Sequence, residues 1–178
     1  MRHALETDRL LLRPVREQDA ADAAEALNDF EVLKQTGTWG FPSDAEVCAA
    51  RFRAAEAHDP KLDVIFAARL KADRRMIGTV GIHRQVDATY AVGYMIGRAW
   101  WGRGYMTEAV RAVCAFGFDT LRARRIEAVV FTDNLGSAAV LRKAGFRDTG
   151  DAGPGWSPTR GAHFPRLGFT LDPGELVR

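Results

Sequence analysis

With 178 residues, 47% of them apolar, the chain can bury one core of ordinary domain size, and a single domain over residues 1–178 is expected. Charged residues make up 27% and nearly cancel, to a formal net charge of +2, which argues against nucleic acid as a partner because a dedicated binder needs one strongly basic face. Two isolated cysteines, Cys48 and Cys114, and the scattered histidines His3, His58, His83 and His163 form neither a disulfide framework nor a zinc-ligand spacing, so no metal is expected.

The opening residues, Met1 to Leu12, lack the apolar core and cleavage site of a signal peptide, and no later run approaches a membrane span. A cytoplasmic protein with no membrane partner is expected. Leu10, Leu11 and Leu12 read as a first strand, ended by Pro14. Residues 17 to 28, rich in alanine, read as a short helix, and a loop with glycine and aromatics follows from Gly37 to Pro42. Ser43 with Glu46 three residues later has the pattern of a capping box opening a second helix, which Pro60 stops at the latest.

From Val64 the apolar period shortens. Val64 to Ala68, Met76 to Ile82 and Tyr90 to Gly97 are predicted as three antiparallel strands in succession. Gly78 and Gly81 weaken the middle one unless another backbone or a ligand comes close. A helix is predicted from about Thr107 to Leu121, where Val110, Val113, Gly117 and Leu121 form an apolar stripe. Ile126 to Phe131, near-continuously apolar, is a fifth strand of the kind covered on both faces. A helix from Gly136–Ser137 to Ala144 follows, with Gly145 as its left-handed stop. Phe146 begins a sixth strand, Gly150 to Gly161 reads as loop, and Arg166 to Leu171 closes as a last strand. This order predicts an α/β fold with a mixed sheet of about six or seven strands.

The chemistry concentrates between residues 90 and 146. Gly102-Arg103-Gly104 lies where a strand passes into a helix N-terminus, so unpaired backbone N–H groups and the positive end of the helix dipole converge there. Glycine lets an anion approach the main chain, and Arg103 adds a cation. The pattern specifies phosphate. It is not a P-loop, because Arg103-Gly104 stands in place of Lys-Ser/Thr. Nor is it a dinucleotide fingerprint, which needs glycine where Thr107 stands.

At these residues the sequence resembles the GNAT superfamily of N-acetyltransferases, and within it the ribosomal-protein N-acetyltransferase-like (RimJ/RimL-type) branch. Trp101-Gly102-Arg103-Gly104-Tyr105-Met106 falls on the pyrophosphate motif Gln/Arg-x-x-Gly-x-Gly/Ala, departing from it at Trp101 and Met106. Trp100 to Ala109 follows the branch's Tyr-Trp-Gly-Lys-Gly-Tyr-Ala-Thr-Glu-Ala closely. Three further segments match: Glu6 to Pro14, Gly93-Tyr94, and Asn134-x-x-Ser137 with Leu141 to Phe146. The resemblance implies a mostly antiparallel sheet flanked by about four helices, with a V-shaped splay between the fourth and fifth predicted strands. It implies acetyl-coenzyme A as cosubstrate. The pyrophosphate would lie on Gly102, Arg103, Gly104, Tyr105, Met106 and Thr107, and the pantetheine arm against strand backbone at Met95, Ile96 and Gly97. An amide of that strand would steady the thioester oxygen as charge develops on it.

The resemblance also implies direct attack by an amine in a ternary complex, so no nucleophilic cysteine is needed. Cys48 and Cys114 then read as packing residues. Asn134 either bonds the pantetheine arm or serves turn chemistry; Ser137 either protonates the leaving thiolate or caps a helix. Lys143 either meets the 3′-phosphate or faces solvent. Relatives often carry Glu just before the Gly-Tyr pair, where this chain has Ala91-Val92. The base is then His83, Asp87, His163 or an ordered water; histidine is the side chain that ordinarily titrates near neutrality. Glu108, in the first turn of the long helix, reads as structural. The expected activity is acetyl transfer to a primary amine, a protein N-terminal α-amine or a small molecule. A coenzyme A-binding module without turnover is the alternative. The acceptor and the oligomeric state, a homodimer included, are not legible.

Overall fold

The computed structural model describes residues 4–177, so His3 lies outside the described residues. Eight strands form one sheet: β1 (Leu5–Glu6), β2 (Leu10–Pro14), β3 (Asp63–Leu70), β4 (Met76–Arg84), β5 (Thr89–Ile96), β6 (Arg125–Phe131), β7 (Arg147–Ser157) and β8 (Ala162–Leu171). Their order is β1-β2-β3-β4-β5-β6-β8-β7. Every neighbouring pair is antiparallel except β5 and β6. The helices are α1 (Ala20–Leu27), α2 (Phe30–Leu33), α3 (Ala45–Glu56), α4 (Tyr105–Asp119) and α5 (Leu135–Ala144). The α/β class and the mixed sheet agree with the sequence reading, while the short β1 and α2 bring the counts above those predicted.

Period-two alternation divides the apolar residues of the sheet between two cores. Leu10, Leu12, Phe66, Val80, Ile82, Tyr90 and Val92 face α4 and α5, and pack on Val110, Val113, Cys114 and Leu141. Ala67, Met76 and Met95 face the other way, beneath Ala23, Leu27 and Phe52 of α1 and α3. On this second face the helices cover β2 to β4 and leave part of β5 and β6 open.

Three local readings are corrected. The N-cap of α3 is Asp44, whose carboxylate accepts from Glu46 N and Val47 N at 3.0 Å; Ser43 instead donates its hydroxyl to Gly40 O. A carboxylate one residue closer to the helix is the better acceptor for its first N–H groups. β6 is covered on one face only. Ile126, Ala128 and Val130 are buried, whereas Arg125, Glu127 and Val129 are exposed, Val129 by 50%. The predicted loop from Gly150 is largely strand, because β7 is the sheet edge and two register shifts absorb Gly150, Gly153 and Pro154.

Candidate active site

β5 and β6 pair only at Thr89↔Arg125, Tyr90↔Ile126 and Ala91↔Glu127, although β5 runs on to Ile96 and β6 to Phe131. Beyond Ala91 the two strands splay into a V. Two hydrogen bonds fix which groups of β5 face it: Gln85 N to Thr89 O at 2.8 Å and Gly97 N to Ile77 O at 2.9 Å. In an antiparallel ladder every second residue directs both its main-chain groups to the same neighbour. Ala91, Gly93 and Met95 are therefore committed to the β4 side, Gly97 gives its N–H to β4 and its carbonyl to Trp100 N at 3.0 Å, and the groups of Val92, Tyr94 and Ile96 face β6 and the gap. This corrects the expectation for Met95 and Gly97, which have no main-chain group to offer there. Ile96 does face the gap, its carbonyl accepting from Trp101 Nε1 at 2.8 Å.

At the mouth of the V the chain turns into α4 through two left-handed glycines, Gly102 (φ +72°) and Gly104 (φ +78°), where a side chain would be strained. Gly104 provides no side-chain cap, and the helix's first hydrogen bond runs from Glu108 N to Gly104 O at 3.1 Å. The N–H groups of Tyr105, Met106 and Thr107 thus have no acceptor within the helix. The turn from Trp101 to Gly104 is exposed, and nothing lies within 4 Å of where a Cβ on Gly102 would stand. Bare N–H dipoles in open space fit a diphosphate. Met106 and Thr107 are buried, so only their main chain is on offer.

The turn is braced from β2 and the bend before it. The Glu108 carboxylate accepts from the Thr7 hydroxyl, from Arg9 N at 2.9 Å and from Arg9 Nε at 2.7 Å. Arg9 Nη1 also donates to Arg103 O at 3.0 Å, and its guanidinium lies 4.3 Å from the centre of the Tyr105 ring. Burial acts to raise the Glu108 carboxyl pKa, but the bonds from Thr7 and Arg9 outweigh it and hold the group below its ordinary range. Glu108 is structural, as the sequence indicated; Arg9 was not foreseen, since its partner lies 99 residues away.

On the α4–α5 face, Tyr94 Oη donates to Ser137 O at 3.0 Å and accepts from Ser137 Oγ at 2.9 Å. Burial pushes the Tyr94 phenol pKa well up, so it stays protonated. The N-cap of α5 is Asn134, whose Oδ1 accepts from Ser137 N at 3.1 Å. That leaves Ser137 free of capping duty, and leaves the amide nitrogen of Asn134 as the end it could direct to a ligand. Lys143 sits exposed in the last turn of α5, its carbonyl accepting from Arg111 Nη2 at 2.6 Å.

The remaining candidates separate. His83 lies on the opposite face, directly across from Ala91, with its Nδ1 2.6 Å from Asp63 Oδ1. A carboxylate only accepts, so the ring donates from Nδ1, and Nε2 points away from Asp63. The His83 ring fills the space above Gly81, which explains the glycine there. Asp87 is exposed in the β4–β5 turn, and His163 meets Trp156 edge to face along the β7–β8 hairpin, with 5.2 Å between ring centres. That hairpin is tied to the segment before α3 by Ser157 Oγ to Lys34 O (3.0 Å) and Thr159 Oγ1 to Trp39 O (3.1 Å). Among the described residues no group of three or more His, Cys, Asp or Glu could hold a metal ion, and no helix is long and apolar enough to cross a membrane.

Comparison with known proteins agrees with this fold. The family described as "Acetyltransferase (GNAT) domain" matches residues 9–147. YoaA of Bacillus subtilis (strain 168), an uncharacterized N-acetyltransferase, is 32% identical over 148 residues, 82% of this chain and 84% of its own. The crystal structure of ribosomal-protein-S5-alanine acetyltransferase from Vibrio fischeri superposes with a TM-score of 0.82 at 22% identity, covering 99% of this chain and 100% of that one. Mycobacterium smegmatis RimJ, in complex with CoA-disulfide, gives 0.81 at 22%, covering 99% and 89%. The chain belongs to the GNAT acetyltransferases and is an acyltransferase, which disfavours the reading as a binding module without turnover.

Proposed function

We propose that the protein transfers the acetyl group of acetyl-coenzyme A to a primary amine, a protein N-terminal α-amine or a small-molecule amine, by direct attack in a ternary complex. The observation that carries this is the pairing of the bare N–H turn at Gly102–Thr107 with the unzipped gap beyond Ala91. The turn holds the diphosphate, and the N–H groups of Tyr94 and Ile96 receive the pantetheine arm and the thioester oxygen. Preorganised donors of this kind typically lower a barrier by about 3 kcal/mol.

The slot passes through the sheet. Ser137 lies on the α5 side beside Tyr94, and its hydroxyl turns from Tyr94 Oη to the sulfur to protonate the departing thiolate. The amine arrives from the opposite face, where His83 is held by Asp63. Attack and departure on opposite faces suit a displacement with no covalent enzyme intermediate. The neighbour named for a ribosomal-protein alanine supports a protein N-terminus as one acceptor class.

Calorimetric titration with acetyl-coenzyme A tests the reading. Saturable binding is expected for the wild type and its loss for Gly104→Asp, which sets a carboxylate against the diphosphate. No binding by the wild type at about 1 mM cofactor, a range that detects even weak association, would end the proposal.

A further inference from the structure

We infer that Glu127 is the carboxylate that receives the acceptor's ammonium and takes its proton; this rests on the proposed amine transfer. The ladder registers align one row across the sheet: Asp63 with His83, His83 with Ala91, Ala91 with Glu127, Glu127 with Thr170 and Thr170 with Arg147. Directly opposed residues of a sheet share a face. That face is the one α1 and α3 leave open at β5 and β6, where Gly93, Glu127 and Val129 are exposed.

Ala91 is the last residue of β5 paired with β6, so the row crosses the apex of the V. Its methyl group leaves room between two functional side chains, His83 on β4 and Glu127 on β6. Two strand spacings separate their Cα atoms by roughly 10 Å, enough for an ammonium group or one water between the side chains.

The charges around Glu127 are balanced. Arg125 shares its strand face but is held by Asp172 at 2.9 Å, and Arg147 beyond Thr170 is held by Asp172 and Glu175. His83 is engaged by Asp63, which also takes His58 Nδ1 at 3.1 Å. Asp63 is thus taken up by the two histidines, while Glu127 stands beside Arg125 on its own strand and senses that charge.

In the step, the ammonium gives one proton to the Glu127 carboxylate and the freed lone pair forms the C–N bond to the acetyl carbon. The C–S bond breaks with its electron pair on sulfur. The nitrogen releases its second proton, the thiolate takes one from the Ser137 side, and one net proton reaches solvent.

The test uses thiol release from acetyl-coenzyme A with 2-phenylethylamine and with a short peptide beginning in alanine. Wild type, Glu127→Gln, Glu127→Asp and His83→Gln are compared between about pH 6 and 9. Glu127→Gln is expected to lower kcat/KM by about 10²–10³-fold across this pH range, with acetyl-coenzyme A binding unchanged by calorimetry. Glu127→Asp recovers part of the rate, and His83→Gln costs less. Glu127→Gln within about threefold of the wild type at every pH overturns the inference alone. Wild type that binds acetyl-coenzyme A but releases no thiol with either amine overturns it together with the proposed amine transfer.

Discussion

Tyr94 and Ser137 hold each other by two hydrogen bonds in opposite directions, phenol to main-chain carbonyl at 3.0 Å and serine hydroxyl to phenol oxygen at 2.9 Å. A strand residue thereby fixes the rotamer of a helix residue across the V. Ser137→Ala keeps the phenol-to-carbonyl bond and should cost about 1 kcal/mol of stability, whereas Tyr94→Phe removes both bonds and should cost about 2–3 kcal/mol by denaturant titration. In turnover, Ser137→Ala is expected to lower kcat about 10²-fold with the KM for acetyl-coenzyme A little changed. An unaltered kcat would assign Ser137 to packing.

Glu108 joins the glycine turn and α4 to the segment between β1 and β2, and its stabilising effect depends on pH. Its carboxyl pKa is lower in the folded protein than in the unfolded chain: burial alone would raise it, but the Thr7 and Arg9 bonds prevail. The contribution is therefore fully present above the unfolded value and is lost as pH falls through the folded one. Glu108→Gln should be less stable than the wild type by about 2 kcal/mol at pH 7. The gap should begin to narrow below about pH 4, where the unfolded carboxyl takes up its proton, and close only once the folded carboxyl is protonated too. A gap independent of pH would contradict the assignment.

Asp19 is 1% exposed and takes hydrogen bonds from Arg13 Nη1 (2.8 Å), Arg69 Nη2 (2.8 Å) and Arg16 N (2.8 Å). Burial again opposes ionisation, and the two guanidiniums with the Arg16 N–H overcome it, so the carboxyl pKa lies below its usual range. Asp19→Ala leaves Arg13 and Arg69 without their shared anion beneath α1. It should cost about 3–5 kcal/mol, the largest loss among these variants, read from the shift in the denaturant midpoint.

Neither cysteine should react in the native protein. Cys48 is buried, and desolvation pushes its thiol pKa up to about 11; Cys114, deeper still, is also pushed up. The thiolate is the reactive form. A disulfide reagent should therefore find no thiol until denaturant exposes both, and native treatment should leave turnover intact. Rapid labelling of either would show that α3 or α4 opens readily.

The chain order of strands and helices was legible from period and punctuation. Each helix or strand near the active site has a local apolar stripe, and Gly145 stops α5 in the left-handed conformation its position suggested. The main misreadings have local causes. β6 looked doubly covered because Val129 is apolar although half exposed, while Arg125 and Glu127 at alternate positions were the signal of an open face. Glycine and proline in β7 looked like loop because nothing local says that a strand will lie at a sheet edge.

By itself the sequence determined the glycine turn into α4, since a left-handed glycine pair before a helix N-terminus is a property of consecutive residues. It could not place Tyr94 on Ser137, Arg9 on Glu108, or His83 and Glu127 on either side of Ala91. Those pairs are 36 to 99 residues apart or set by ladder register. Register depends on how every strand in the sheet buries its apolar face, and a shift of one residue would turn each of these side chains to the other side.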